Sequence, residues 1–202
     1  DKTGTLTRNE MMVTSLLTAD RRFTVTGEGY VPEGMFEVDG ATVQAADHPI
    51  LLEFARAAAL CNDAALHRTD DGWRTEGDPM EGALLALAGK VTDGGVAPFG
   101  GLARTDAIPF DAAHRYMAVL HHDHEGHAFI HVKGAPEAVL AMCRNQRVGE
   151  DDVAPLDLAF WQKGVEELAG AGQRVIAVAS RNAPQSHTVL NMSDLGGHLI
   201  LV

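Results

Sequence analysis

The chain opens on Asp1-Lys2-Thr3-Gly4-Thr5-Leu6-Thr7, a run suited to phosphate chemistry. The Asp1 carboxylate can attack a phosphorus atom. Gly4 lets backbone N–H groups approach a phosphate closely, and the threonine hydroxyls can hold its oxygens. Farther on stand groups suited to a flat, anionic ligand. Phe110 follows Pro109 and precedes polar residues. Its ring is either a stacking platform, worth about 1–3 kcal/mol by analogy with bases stacked on aromatics, or a core residue. Lys133 precedes Gly134, which puts an ammonium beside backbone that a ligand can approach, unless the lysine is simply solvated. Arg174 opens the apolar run RVIAVA, where a long cation either reaches out to phosphate or ends a strand at the surface. Glu81 lies three residues after Asp78, the spacing of a capping box, and its carboxylate is also a hydrogen-bond acceptor.

The histidines form a second group. His121, His122, His124, His127 and His131 crowd one predicted hairpin. Such a set can bind Zn²⁺, Ni²⁺ or Cu²⁺. Strand alternation puts neighbours on opposite faces, however, and no cysteine joins them, so the expectation is a polar, exposed hairpin. Cys61 and Cys143 are far apart and in no CxxC pair, and read as small buried residues.

The elements that must carry these groups are partly legible. Residues 11–17 and 23–26 read as strands, and GEGYVPEG (27–34) as turn. A helix is expected over 47–61, capped by Asp47, with Ile50, Phe54, Ala58 and Cys61 on one face. Asp78 caps a second helix with Pro79 in its first turn. Strands at 115–121 and 127–133 flank the tight turn DHEG, a hairpin. Helices follow at 136–142 and 156–169, then a strand at 174–179, a loop at 182–193 and a strand from 198. Hairpins mixed with helices, without strict βαβ alternation, predict an α+β fold: a mainly antiparallel twisted sheet flanked by helices.

With 202 residues, 46% of them hydrophobic, the chain can build one substantial core. Its formal net charge of −12 argues against nucleic acid as a partner and against docking on an anionic membrane. It leaves room for a locally positive anion site. No apolar run reaches the roughly 18–20 residues of a transmembrane helix, and the first residue is Asp, so the sequence reads as a segment of a longer chain.

The motifs, taken in order, resemble one family. DKTGTLT resembles the phosphorylation motif of P-type cation-transporting ATPases, and its continuation into Asn9-Glu10-Met11 resembles the type II, calcium-pump-like branch. GEGYVPEG (27–34), ALCNDA (59–64), GDPMEGALL (77–85), IPFDAAHRYMAVL (108–120), VKGAPEAVL (132–140), AGQRVIAVA (171–179) and DLGGHLILV (194–202) resemble further segments of the same family. Met80 stands where the family has Thr, and Arg115 where it usually has Lys; a guanidinium keeps the charge but changes the geometry.

The resemblance implies an ATP-binding N domain. Residues 1–10 would be the strand end and hinge of the phosphorylation domain, 11–190 the nucleotide-binding domain, and 191–202 the return segment. Asp1 would be the aspartate that is phosphorylated. Asp1 and the backbone carbonyl of Thr3 would share a Mg²⁺ ion. Glu81 would accept from the adenine amino group, Phe110 would stack on adenine, and Arg115, Lys133, Gly134 and Arg174 would line the rest of the ATP pocket. The implied setting is a cytoplasmic domain of an integral membrane pump. Its partners would be the phosphorylation and transmembrane domains of the same polypeptide, with the transported cation bound elsewhere. The chain alone is expected to bind nucleotide without turnover, since the family's later acidic motif is missing from it. Two alternatives are a phosphatase segment of the haloacid-dehalogenase type and a His-rich metal-binding module. Against the phosphatase, the residue two after Asp1 is Thr3 where those enzymes usually carry Asp.

Overall fold

The computed structural model describes residues 10–93, 99–149 and 152–202. Asp1 and Thr3 lie outside the described residues. The chain divides into two compact units, Asp1–Leu16 with Arg22–Ala97, and Leu17–Arg21 with Pro98–Val202.

The first unit carries a four-stranded sheet in the order β1 (Ser15–Leu17), β2 (Arg22–Val25), β3 (Phe36–Val38) and β4 (Ala41–Val43). Beside it are two helices, α1 (Pro49–Leu60) and α2 (Pro79–Val91), and a separate antiparallel hairpin, β5 (Ala65–Thr69) and β6 (Gly72–Glu76). Its core gathers Leu16, Phe23, Val25, Phe36, Leu51 and Leu87. Asp47 does not cap α1. It ends a 3-10 turn, and His48 is the N-cap, without a side-chain bond. Pro49 explains the shift: it lacks an N–H, suits the first helical position and forces the residue before it out of helical geometry. Asp78 does cap α2, its Oδ1 accepting from the N–H groups of Met80 (2.8 Å) and Glu81 (3.3 Å). Residues 82–90 of α2 are all buried, as suits a helix apolar on every side.

The second unit is built on a seven-stranded sheet. Its order is β11 (Asp152–Pro155), β10 (Cys143–Val148), β13 (Leu199–Leu201), β12 (Ala177–Ala183), β9 (Ala128–Gly134), β8 (Tyr116–His122) and β7 (Ala103–Ile108). Every neighbouring pair is antiparallel except β10 with β13. Side chains alternate across β8 and β9. Tyr116, Ala118, Leu120, Ile130 and Val132 join Val139, Leu140, Trp161 and Leu199 in one core. The helix α3 (Pro136–Met142) packs on β9, β12 and β13. The N-terminus of α4 (Leu158–Gly170) is anchored by Gln146, whose Oε1 accepts from Asp157 N–H (2.7 Å) and from the Trp161 indole (2.9 Å).

The α+β architecture with mainly antiparallel sheets and flanking helices is therefore present. Besides the start of α1, the bounds of two strands differ clearly from the sequence reading. Strand β12 begins at Ala177, not Arg174, and runs through the polar Ser180-Arg181-Asn182 because it pairs with β9 over that strand's whole length. The first strand is confined to Ser15–Leu17. Strands β3 to β7, β10 and β11 have no counterpart in the sequence reading. Among the described residues, no helix is long and apolar enough to cross a membrane.

Candidate nucleotide site

The ends of four strands define one edge of the second unit. β7 ends at Ile108, paired with Ala118, and the connection over residues 109–115 leads into Tyr116 at the start of β8. Tyr116 faces Gly134 at the end of β9, and Gly134 faces Ala177 at the start of β12. The topology thus brings Phe110, Arg115, Lys133 and Gly134 to one end of the sheet, and Arg174, three residues before β12, to the same end.

The connection is tightly folded. Asp111 Oδ1 accepts from Ala113 N–H (2.6 Å), and the Asp111 carbonyl accepts from Arg115 N–H (2.7 Å). Arg115 takes a φ of 59°, a left-handed conformation uncommon outside glycine, and its carbonyl accepts from Ala135 N–H (2.9 Å). On this frame the Phe110 ring is 60% exposed, whereas Phe23, Phe36 and Phe99 are buried. Phe110 is therefore not a core residue, and its π-face is open to a ligand. The Arg115 guanidinium, also exposed, donates from Nη1 to Glu137 Oε1 in the first turn of α3.

Lys133 is buried at 4% exposure, with Nζ 3.7 Å from Met117 Sδ. It is not a solvated surface lysine. Gly134 meets its own chain: a Cβ there would lie 2.6 Å from Tyr116 Cα and against the Arg115 carbonyl. The absence of a side chain at 134 thus serves the close approach of β8 and β9. Burial pushes the neighbouring Tyr116 hydroxyl up from its ordinary range. Arg174 is exposed on irregular chain ahead of β12 rather than within a strand.

Glu81 belongs to the first unit. It is buried at 9% exposure, and its Oε2 accepts from Asp63 N–H (3.1 Å) while its carbonyl accepts from Asn62 Nδ2 (3.0 Å). Asn62 Oδ1 in turn accepts from Ala64 N–H (2.9 Å). The ALCNDA and GDPMEGALL segments are thereby bonded together around Glu81. Asn62 and Glu137 are the residues that the sequence reading passed over. Both stand inside quoted motifs, yet their bonds join separate elements.

The five histidines do not converge. His121 and His131 are buried at 3% exposure, with ring centroids 6.2 Å apart, so the expected exposed hairpin is exposed only at its turn. Register explains this: β8 and β9 lie inside the seven-stranded sheet, paired on both sides. At the turn, His127 Nδ1 lies 2.8 Å from Asp123 Oδ2. The bond and charge of Asp123 hold the imidazole above its ordinary pKa. Burial works to raise the Asp123 carboxyl, but hydrogen bonds from the His127 side chain and backbone outweigh it and hold the carboxyl low. Among the described residues, Asp123, Glu125 and His127 are the one group whose ligating atoms lie within 4.8 Å of one another. Asp123 is already spent on the turn, accepting also from Glu125 and His127 N–H groups. Both cysteines are buried thiols outside any disulfide, and burial pushes the Cys143 thiol up to about 12.

Comparison with known proteins agrees with this frame. Residues 51–198 match the family model for the cytoplasmic domain N of P-type ATPases. Cation-transporting ATPase pma1 of Synechocystis is 35% identical over 208 residues, covering 100% of this chain and 23% of that protein. Probable cation-transporting ATPase F of Mycobacterium tuberculosis is 38% identical over 178 residues, covering 88% and 20%. Calcium-transporting ATPase type 2C member 1 of Bos taurus is 35% identical over 186 residues, covering 89% and 19%. The chain spans about a fifth of the length of these curated relatives. The match does not favour the phosphatase or metal-module alternatives, and its extent across both units means that the chain belongs to the P-type ATPase cytoplasmic domain N family.

Proposed function

We propose that this chain holds ATP for a cation-transporting P-type ATPase of the type II, calcium-pump-like branch, and presents its γ-phosphate to Asp1. The observation that carries the reading is Phe110: a ring 60% exposed on a hydrogen-bonded connection, at the sheet end that also carries Arg115, Lys133, Gly134 and Arg174. Adenine stacks on the Phe110 ring. The exposed guanidinium groups of Arg115 and Arg174 take the phosphate chain. Lys133 contributes positive potential from within the strand end, and Gly134 lets β8 and β9 close there. In the first unit, the carboxylate of Glu81, held by Asp63 N–H, is the further acceptor that the resemblance assigns to nucleotide. Asp1 is the phosphoryl acceptor. Mg²⁺ suits the hard oxygens of the Asp1 carboxylate and the Thr3 carbonyl, and would neutralise phosphate charge when bound. The setting is a cytoplasmic domain of a membrane pump whose phosphorylation and transmembrane domains belong to the same polypeptide.

The test is a calorimetric or NMR titration of the 202-residue chain with ATP, on wild type and Phe110→Ala. The expected result is saturable binding in the roughly sub-millimolar to millimolar range, about 4–6 kcal/mol, without phosphate release. Phe110→Ala should weaken it by about 1–3 kcal/mol and leave the melting temperature unchanged. No response of the wild type at several millimolar ATP would sink the reading.

A further inference from the structure

We propose that Glu137 occupies, in the nucleotide-free chain, the place that nucleotide phosphate takes at Arg115, and so sets how strongly the site prefers nucleotides with longer phosphate chains. The proposal rests on the nucleotide-holding reading above and adds a residue to it. The main chain of Arg115 is held from both sides, its N–H by the Asp111 carbonyl (2.7 Å) and its carbonyl by Ala135 N–H (2.9 Å). With the main chain bonded on both sides, the cation is re-aimed through its side chain. That side chain is 54% exposed and donates to a Glu137 carboxylate that is 58% exposed. A carboxylate and a phosphate offer the same fork of anionic oxygens to a guanidinium. An ion pair this exposed is weak, so a phosphate can displace it. Each displacement still costs the pair, and the cost falls only on ligands that bring a phosphate to Arg115. Glu137 thereby orients the guanidinium and moderates its charge. Lysine, the family's usual residue at 115, would present a point charge instead of a planar fork.

The test is a titration series with adenosine, AMP, ADP and ATP on the 202-residue chain, using wild type, Glu137→Gln, Arg115→Gln and the double variant. Circular dichroism checks that each is folded. Glu137→Gln should raise affinity for ATP about 2–5-fold, the range that an exposed ion pair is worth, and leave adenosine unchanged. The gain should vanish in the double variant and shrink at high salt. An equal change for adenosine and ATP would make Glu137 a structural tether only. A gain that persists without Arg115 would reduce it to general charge removal. Either result, or no change at all, overturns the proposal while the ATP reading stands. Failure of every nucleotide to bind wild type would remove both.

Discussion

Single residues settle what the chemistry has to work with. Phe110 is open because a short, self-bonded connection leaves it no core to enter. Arg115 is exposed but engaged with Glu137. Lys133, by contrast, is desolvated within the strand end. The His127–Asp123 pair allows a pH prediction at the same scale. His127 is raised, so its contribution is full below about pH 6.5 and is lost as pH rises through its folded value. Asp123 is lowered, so its contribution is full above about pH 3.9 and is lost as pH falls through its folded value. The turn should therefore be tightest between those limits. An NMR titration should place the His127 midpoint above about 6.5, and Asp123→Asn should bring it down; an unchanged midpoint would discount the pair. Cys143, with its thiol pushed up to about 12 by burial, should resist a thiol reagent at pH 8 until the chain is denatured.

At the scale of elements, two close approaches depend on glycine. In the second unit, Gly134 lets β8 and β9 meet beside Arg115 and Tyr116. Gly134→Ala would drive a Cβ to 2.6 Å from Tyr116 Cα and 2.7 Å from Tyr116 Cβ, atoms fixed by strand pairing. The expected cost is about 1–3 kcal/mol, read as a lower denaturation midpoint with an unchanged slope. In the first unit, Lys90 near the end of α2 runs into the GEGYVPEG loop, and its Nζ donates to the Thr26 carbonyl (2.8 Å). A side chain at Gly27 would come within 2.6 Å of that nitrogen. Burial lowers the Lys90 pKa, yet the bonded ammonium fastens the loop to a helix whose other end carries Glu81. Gly27 and Gly34, which the sequence presents only as turn punctuation, thus both lie against that lysine.

At the scale of the whole molecule, charge is the decisive quantity. A net −12 repels polyanions at long range. An electrophoretic shift assay with duplex DNA at low ionic strength should show no complex; a retarded band would contradict the reading of the surface. The chain spans about a fifth of the length of its curated relatives, and the proposed nucleotide binding is the property to measure on it.

What was determined by the sequence alone was local and short in range. The Asp78 cap, the 136–142 helix and the DHEG turn depend on residues within a few positions of one another, and motif order was enough to indicate the family. The rest needed partners distant in the chain. Strands β3 to β6 carry too little period-2 apolar pattern to announce themselves, and β10, CRNQRV, is a strand because β13 and β11 pair with it. Strand β12 was lengthened by the full span of β9. Burial of His121, His131 and Lys133 follows from central placement in a seven-stranded sheet, which no composition reveals. The Arg115–Glu137 pair joins residues on two elements, and Gly134 is small for the sake of a neighbouring strand. These are consequences of long-range register, and register is decided only when the sheet closes.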